Sequence, residues 1–197
     1  MTRPVHPVPG PGLAGGAHRV LVYGVTGSGK SALAESLSAA TGIKAHLVDD
    51  EFGWLPGWTP RSPEEIRTMV EPVVAEESWI FDSAYGSFRD LVLARAQLII
   101  GLDYSRPRSL VRLLRRTFRR IVHKELVCNG NQETWLRTLS KDSIVPWHFR
   151  SFKRKQAVMH ELAAAAARDP SAPRVLLFKN PAQTARWLRS FAPGPAV

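Results

Sequence analysis

From Arg19 onward the chain alternates short apolar runs with longer stretches of helical periodicity. Arg19–Tyr23 (RVLVY), Ala45–Val48, Trp79–Phe81, Gln97–Leu102 (QLIIGL) and Arg174–Phe178 (RVLLF) are short and continuous, the pattern of strands buried on both faces. Between them, Lys30–Thr41 places Leu33, Leu37 and Ala40 at helical spacing, and Gly42 stops it. Ser62-Pro63-Glu64-Glu65 starts a second helix, with Ser62 as N-cap, Pro63 at the first position and Glu65 completing a capping box; the pattern runs to about Glu77. Further helices are predicted over Pro107–His123, Trp147–Arg168 and from Asn180-Pro181 through Phe191, while 124–142 reads as loop plus a short helix. Strands alternating with helices predict an α/β fold with a parallel sheet covered on both faces. In such sheets ligands sit at the carboxyl ends of the strands, which directs attention to Gly24, Asp49-Asp50, Asp82 and Asp103.

The 197 residues correspond to one domain, and 44% hydrophobic content excludes wholesale disorder. Residues 1–18, with Pro4, Pro7, Pro9 and Pro11, are expected to be a disordered tail, 19–191 the domain and 192–197 a short C-terminal tail. Lys and Arg number 27 against 17 Asp and Glu, a formal charge of +10. Nucleic acid, an acidic membrane surface and a phosphorylated small molecule all fit that sign. The single cysteine, Cys128, excludes an internal disulfide and a cysteine-based zinc cluster. No apolar run approaches the ~18–20 residues of a membrane span, and no secretory h-region is visible. The expected location is therefore the cytoplasm.

Gly24-Val25-Thr26-Gly27-Ser28-Gly29-Lys30-Ser31 matches G-x-x-x-x-G-K-[ST] and lies between a predicted strand and a predicted helix. Glycines let successive backbone N–H groups turn inward, and the helix N-terminus adds partial positive charge. Gly24, Thr26, Gly27, Ser28, Gly29, Lys30 and Ser31 are thus candidate phosphate-binding residues. Lys30 is the mobile cation for the β- and γ-phosphates, and Ser31 supplies a hydroxyl for Mg²⁺. Asp82, directly after Trp79-Ile80-Phe81, is placed to hold Mg²⁺ or its water. Asp49 and Asp50 are expected at the acceptor side, with Asp50 the first choice to orient an acceptor hydroxyl and Asp49 the alternative.

Arg106, Arg108, Arg112, Arg115, Arg116, Arg119, Arg120 and Lys124 occupy one stretch without an acidic residue. Arg112, Arg116 and Arg119 are candidates to stabilise a transferring phosphoryl group. A solvated basic face and nucleic-acid backbone contact are the other readings of that stretch. Trp54 and Trp58 form an aromatic loop that could stack on a planar acceptor, or pack over the sheet edge. Arg89 is a candidate for acceptor phosphate.

With these residues in view, the chain resembles the adenylate-kinase-like branch of P-loop kinases, and within it bacterial adenylate kinase or DNA topology modulation proteins. The resemblance spans about 19–191. Beyond the glycine-rich loop it is carried by His46-Leu47-Val48-Asp49-Asp50, Pro56-Gly57-Trp58, Ala84-Tyr85-Gly86, Leu93-Ala94-Arg95-Ala96, Cys128-Asn129-Gly130-Asn131 and Trp147-His148-Phe149-Arg150-Ser151-Phe152. It implies a three-layer P-loop NTPase sandwich with five parallel strands ordered 2-3-1-4-5, ATP as donor, and a helical lid over about 104–155. It also implies adenine resting on backbone at Asn180 and Pro181, residues that serve equally as a helix N-cap and N1. The stretch after the fourth strand departs from a standard adenylate-kinase lid, and the segment after Asp50 departs from that enzyme's AMP-binding pattern. The expected activity is ATP- and Mg²⁺-dependent phosphoryl transfer to a small acceptor, with nucleotides and nucleosides leading. The alternatives are a nucleotide-regulated nucleic-acid-associated protein using the basic stretch 106–124, and a nucleotide-binding module without catalysis.

Overall fold

The computed structural model describes residues 13–138 and 143–190. Five strands, β1 (Arg19–Gly24), β2 (Ala45–His46), β3 (Trp79–Phe81), β4 (Leu98–Leu102) and β5 (Arg174–Phe178), form one sheet. They lie side by side as β2-β3-β1-β4-β5, every pair parallel. The connecting helices are α1 (Lys30–Thr41), α2 (Pro63–Ala75), α3 (Arg89–Arg95), α4 (Arg106–Val122), α5 (Ile144–Arg168) and α6 (Pro181–Arg189).

Alternation along the strands divides the core. Leu21, Tyr23, Trp79, Phe81 and Ile99 face one layer with Ile66 and Val70 of α2, Val92 of α3 and Met159 of α5. Val20, Val22, Ile80, Leu98 and Ile100 face the other with Leu33, Ala34 and Leu37 of α1. Both faces being covered explains why the strands read as unbroken apolar runs. No helix among the described residues is long and apolar enough to cross a membrane.

Several boundaries differ from the sequence expectation. Leu13–Gly16 forms a helical turn whose Leu13 is wholly buried against the sheet, so part of the expected tail 1–18 is packed on the fold; residues 1–12 lie outside the described structure. The C-terminal tail 192–197 and Phe191 likewise lie outside it. The α2 capping box is present, Ser62 Oγ accepting from the Glu65 N–H (3.1 Å) and Glu65 Oε2 from the Ser62 N–H (2.8 Å). Strand β2 stops at His46 rather than Val48. Glu51 folds back to take the Leu47 N–H (3.2 Å) and the buried His46 Nδ1–H (2.8 Å), and Asp82 takes the Val48 N–H. The chain therefore turns into a π-helical segment at Asp49–Gly53.

Asp103, just after β4, is buried and accepts from Gln156 Nε2 (2.8 Å), His160 Nε2 (2.8 Å) and Lys179 Nζ. It thereby ties β4 to α5 and to the end of β5. Burial alone would raise its pKa, but these three donors outweigh it and hold the carboxyl at about 2. A folded-state pKa below the unfolded value contributes stability above the ordinary carboxylate range, lost as pH falls towards 2. In acid unfolding followed by circular dichroism, wild-type protein is expected to lose stability steeply between about pH 4 and 2. Asp103→Asn should be less stable at neutral pH and flatter across that window; parallel curves would contradict this role for Asp103.

Candidate active site

The glycine-rich loop leaves β1 at Gly24 and enters α1 at Lys30. Gly27 and Gly29 have φ of +83° and +96°, a region L side chains rarely adopt. A Cβ on Gly27 would lie 2.3 Å from the Ser109 carbonyl oxygen and 2.9 Å from Leu113 Cβ, because α4 packs directly on the loop. A Cβ on Gly29 would lie 2.6 Å from a guanidinium nitrogen of Arg112. From the other side, His148 of α5 donates Nδ1–H to the Thr26 carbonyl (3.0 Å). Burial lowers the His148 pKa, which keeps the ring neutral. The loop is thus held between two helices that lie far from it in sequence. Ser28 Oγ, inside the loop, is buried without a hydrogen-bond partner among the described residues.

Lys30 Nζ rests 3.3 Å from the Val25 carbonyl. Burial lowers its pKa, partly offset by the charges of Asp82 and Asp49. Ser31 Oγ donates to Asp82 Oδ2 at 2.5 Å, and Asp82 Oδ1 accepts the Val48 N–H at 2.9 Å. Only 4% exposed, the Asp82 carboxyl is pushed up by burial, while these two bonds and Lys30 oppose the rise. One carboxylate therefore joins the loop helix, the end of β2 and the end of β3. Among the described residues no cluster of three His, Cys, Asp or Glu forms a closed metal site. A hydroxyl beside a carboxylate is nonetheless a hard-oxygen pair suited to Mg²⁺, which takes few protein ligands and completes its shell with phosphate and water.

The two acidic residues after β2, both exposed, separate in the π-turn. Asp49 accepts the Tyr85 hydroxyl hydrogen, and its charge acts on Lys30, Asp82 and Arg116. Asp50, the first choice from sequence, is exposed and accepts the Cys128 N–H (2.7 Å). It caps a two-stranded ribbon, Leu126–Val127 with Asn131–Gln132, instead of facing the loop. Burial and then Asp49 raise the Tyr85 pKa, so its hydroxyl stays protonated as a donor.

That ribbon docks on the segment after the π-turn. Asn131 takes the Trp58 N–H on Oδ1 (2.6 Å) and gives Nδ2–H to the Leu55 carbonyl (2.9 Å). Asn129 reaches the Trp54 carbonyl (3.2 Å), and Trp58 Nε1 reaches the Gln132 carbonyl (3.1 Å). Trp54 and Trp58 meet edge to face at 5.5 Å, and the Arg137 guanidinium lies 4.6 Å over the Trp58 ring. Both tryptophans are thus packed in this joint, with Arg137 over one face of Trp58.

The basic stretch also divides. Arg112 lies over Gly29. Arg116 is half-buried, its pKa lowered by burial and by Arg120 with Asp49 nearby. Arg119 points outward and pairs with Glu125 (3.0 Å), so it does not join the loop. Arg89 opens α3. Asn180 Oδ1 caps α6 by accepting the Gln183 N–H (3.0 Å), with Pro181 at N1. Tyr85, His148, Asn131 and Lys155 of α5 carry no assignment from sequence; the first three lie within the stretches that carry the resemblance, and Lys155 is discussed below.

No protein-family model and no curated protein matches the chain. Among solved structures it is similar to a gluconokinase from Sinorhizobium meliloti 1021, with 16% identity and a TM-score of 0.49 over 92% of this chain and 91% of that one. It is also similar to deoxyadenosine kinase from M. mycoides (11%, TM-score 0.48, 87% and 96% covered) and shikimate kinase from Bacteroides thetaiotaomicron (14%, 0.45, 88% and 96%). Likenesses this distant leave the functional reading to the chain's own side chains.

Asn131 supplies two of the bonds that seat the ribbon. Asn131→Ala is expected to speed hydrogen exchange at the Trp58 and Cys128 amides while leaving β1 and β4 protected. Unchanged exchange at Trp58 would show that the ribbon is seated by other contacts.

Proposed function

We propose that this protein transfers the terminal phosphoryl group of ATP, bound with Mg²⁺, to a small hydroxyl-bearing acceptor such as a nucleoside. The observation that carries the reading is the 2.5 Å contact between Ser31 Oγ and buried Asp82, next to Lys30 at the mouth of a loop with two left-handed glycines. Loop amides, the α1 N-terminus and Lys30 bind the triphosphate. Ser31 and Asp82 hold Mg²⁺, which neutralises part of the phosphate charge when bound. Arg112 over Gly29 and Arg116 near Asp49 would supply the cationic clamp on the transferring group.

Asp49 takes the acceptor role. A carboxylate beside the transfer site repels an anionic phosphate acceptor but accepts a hydroxyl proton, which favours alcohols over monophosphates. In the step, the acceptor oxygen bonds to the γ-phosphorus and the bond from that phosphorus to the β-bridging oxygen breaks. ADP leaves with the electron pair, and the acceptor proton passes to Asp49. Tyr85 holds Asp49 in place.

The test is a screen of nucleosides, nucleoside monophosphates and small polyols for acceptor-dependent ADP release. With an active acceptor, Lys30→Ala should lose roughly 100-fold or more of turnover with the fold intact by circular dichroism. Asp49→Asn should lose about 100-fold in kcat, whereas Asp50→Asn should stay within a few-fold of wild type. Absence of ADP release with every acceptor, or full turnover in Lys30→Ala, would overturn the proposal.

A further inference from the structure

The face of α5 that packs inward carries His148, Ser151, Phe152 and Met159, all buried. Lys155 falls on this same stripe, three residues after Phe152 and four before Met159, where an apolar residue would satisfy packing alone. Its position is tied down on both sides. Two turns earlier His148 bonds the Thr26 carbonyl of the loop, and on either side of the next turn Gln156 and His160 bond Asp103 at the end of β4. Lys155 is half-buried, and it makes no hydrogen bond or ion pair with any described residue.

We propose that the Lys155 ammonium contacts the γ-phosphoryl group of bound ATP and is a catalytic residue for its transfer. The inference rests on the reading of this site as a phosphotransferase and adds a second lysine to it, from the opposite wall to Lys30. The charges facing Lys155 are Lys30 on α1, Asp49 in the π-turn, Asp82 after β3 and Arg154 on its own helix. Burial first, and then Lys30, pushes its pKa down to about 7, so the ammonium is under-compensated by its surroundings. A partly buried cation without a partner among the described residues is costly unless an anion completes it. The γ-phosphate lies at the far end of a triphosphate whose β-phosphate is cradled by the loop, which is where Lys30, Asp49 and Asp82 converge. From His148 at the loop to Met159, whose sulfur lies 3.4 Å from where a Cβ on Gly101 of β4 would sit, the stripe that carries Lys155 runs past the carboxyl ends of β1 and β4.

The discriminating measurement compares ATP with ADP, both with Mg²⁺, by isothermal titration in wild type, Lys155→Met and Lys155→Arg. Methionine keeps the apolar stem and removes the charge. Lys155→Met is expected to weaken ATP binding about 10- to 100-fold and to leave ADP binding unchanged, with Lys155→Arg restoring most of the difference. With an active acceptor, kcat should fall about 100-fold at constant acceptor KM. Equal weakening for both nucleotides, or none for either, would overturn the role. Normal turnover in Lys155→Met would overturn it while the phosphotransferase reading stands. If wild type binds ATP but no acceptor turns over, the ATP–ADP contrast still decides Lys155. If wild type binds neither nucleotide, both readings fail.

Discussion

A carboxylate withdrawn from water has to be met by donors, and Asp82 meets that requirement in a way that organises the whole carboxyl edge of the sheet. Its two oxygens take the Ser31 hydroxyl and the Val48 N–H, with the Lys30 charge nearby. The first bond orients the start of α1. The second ends β2 two residues early and sends the chain into the π-turn, which then determines which acidic residue faces the loop. Replacing either donor would leave a buried acceptor unsatisfied, a penalty of about 1–3 kcal/mol.

The loop is constrained just as firmly from above. Leu113 and Ser109 of α4 close on Gly27, Arg112 covers Gly29, and His148 of α5 holds Thr26. No side chain fits at the two left-handed glycines, so their requirement is double: backbone geometry and close approach. The same helices that press on the loop also present its cations. The ribbon beyond α4 fastens to the segment after the π-turn through Asn129, Asn131 and Asp50. The glycine loop and the segment after the π-turn are thereby joined through α4 and this ribbon.

Much of this was readable from the chain. Continuous apolar runs located the five strands, the capping box located α2, and the glycine spacing placed Lys30 and Ser31 on one helix start. Asp82 could be placed because it ends a strand. What failed to read through depends on contacts distant in sequence. The π-turn exists because Glu51 bonds His46 and Asp82 captures Val48, and neither leaves a local pattern. Without that turn, Asp49 and Asp50 cannot be told apart. Helical spacing put the arginines on one side of α4, but not which of them meet the loop, an anion-free surface or Glu125. The buried Leu13 was hidden by its Pro- and Gly-rich neighbours. Lys155 did leave a trace, a charge in the register of an apolar stripe, whose meaning depends on what that stripe faces.

The claim on which everything turns is that Ser31 and Asp82 make the glycine loop a Mg²⁺–nucleotide site. Calorimetric titration of ATP with and without Mg²⁺, on wild type and Asp82→Asn, tests it without knowledge of the acceptor. Wild type should bind ATP about 10-fold or more tightly when Mg²⁺ is present, and Asp82→Asn, still folded, should lose most of that gain. Equal affinities with and without Mg²⁺ in wild type, or an undiminished Mg²⁺ gain in Asp82→Asn, would contradict the account.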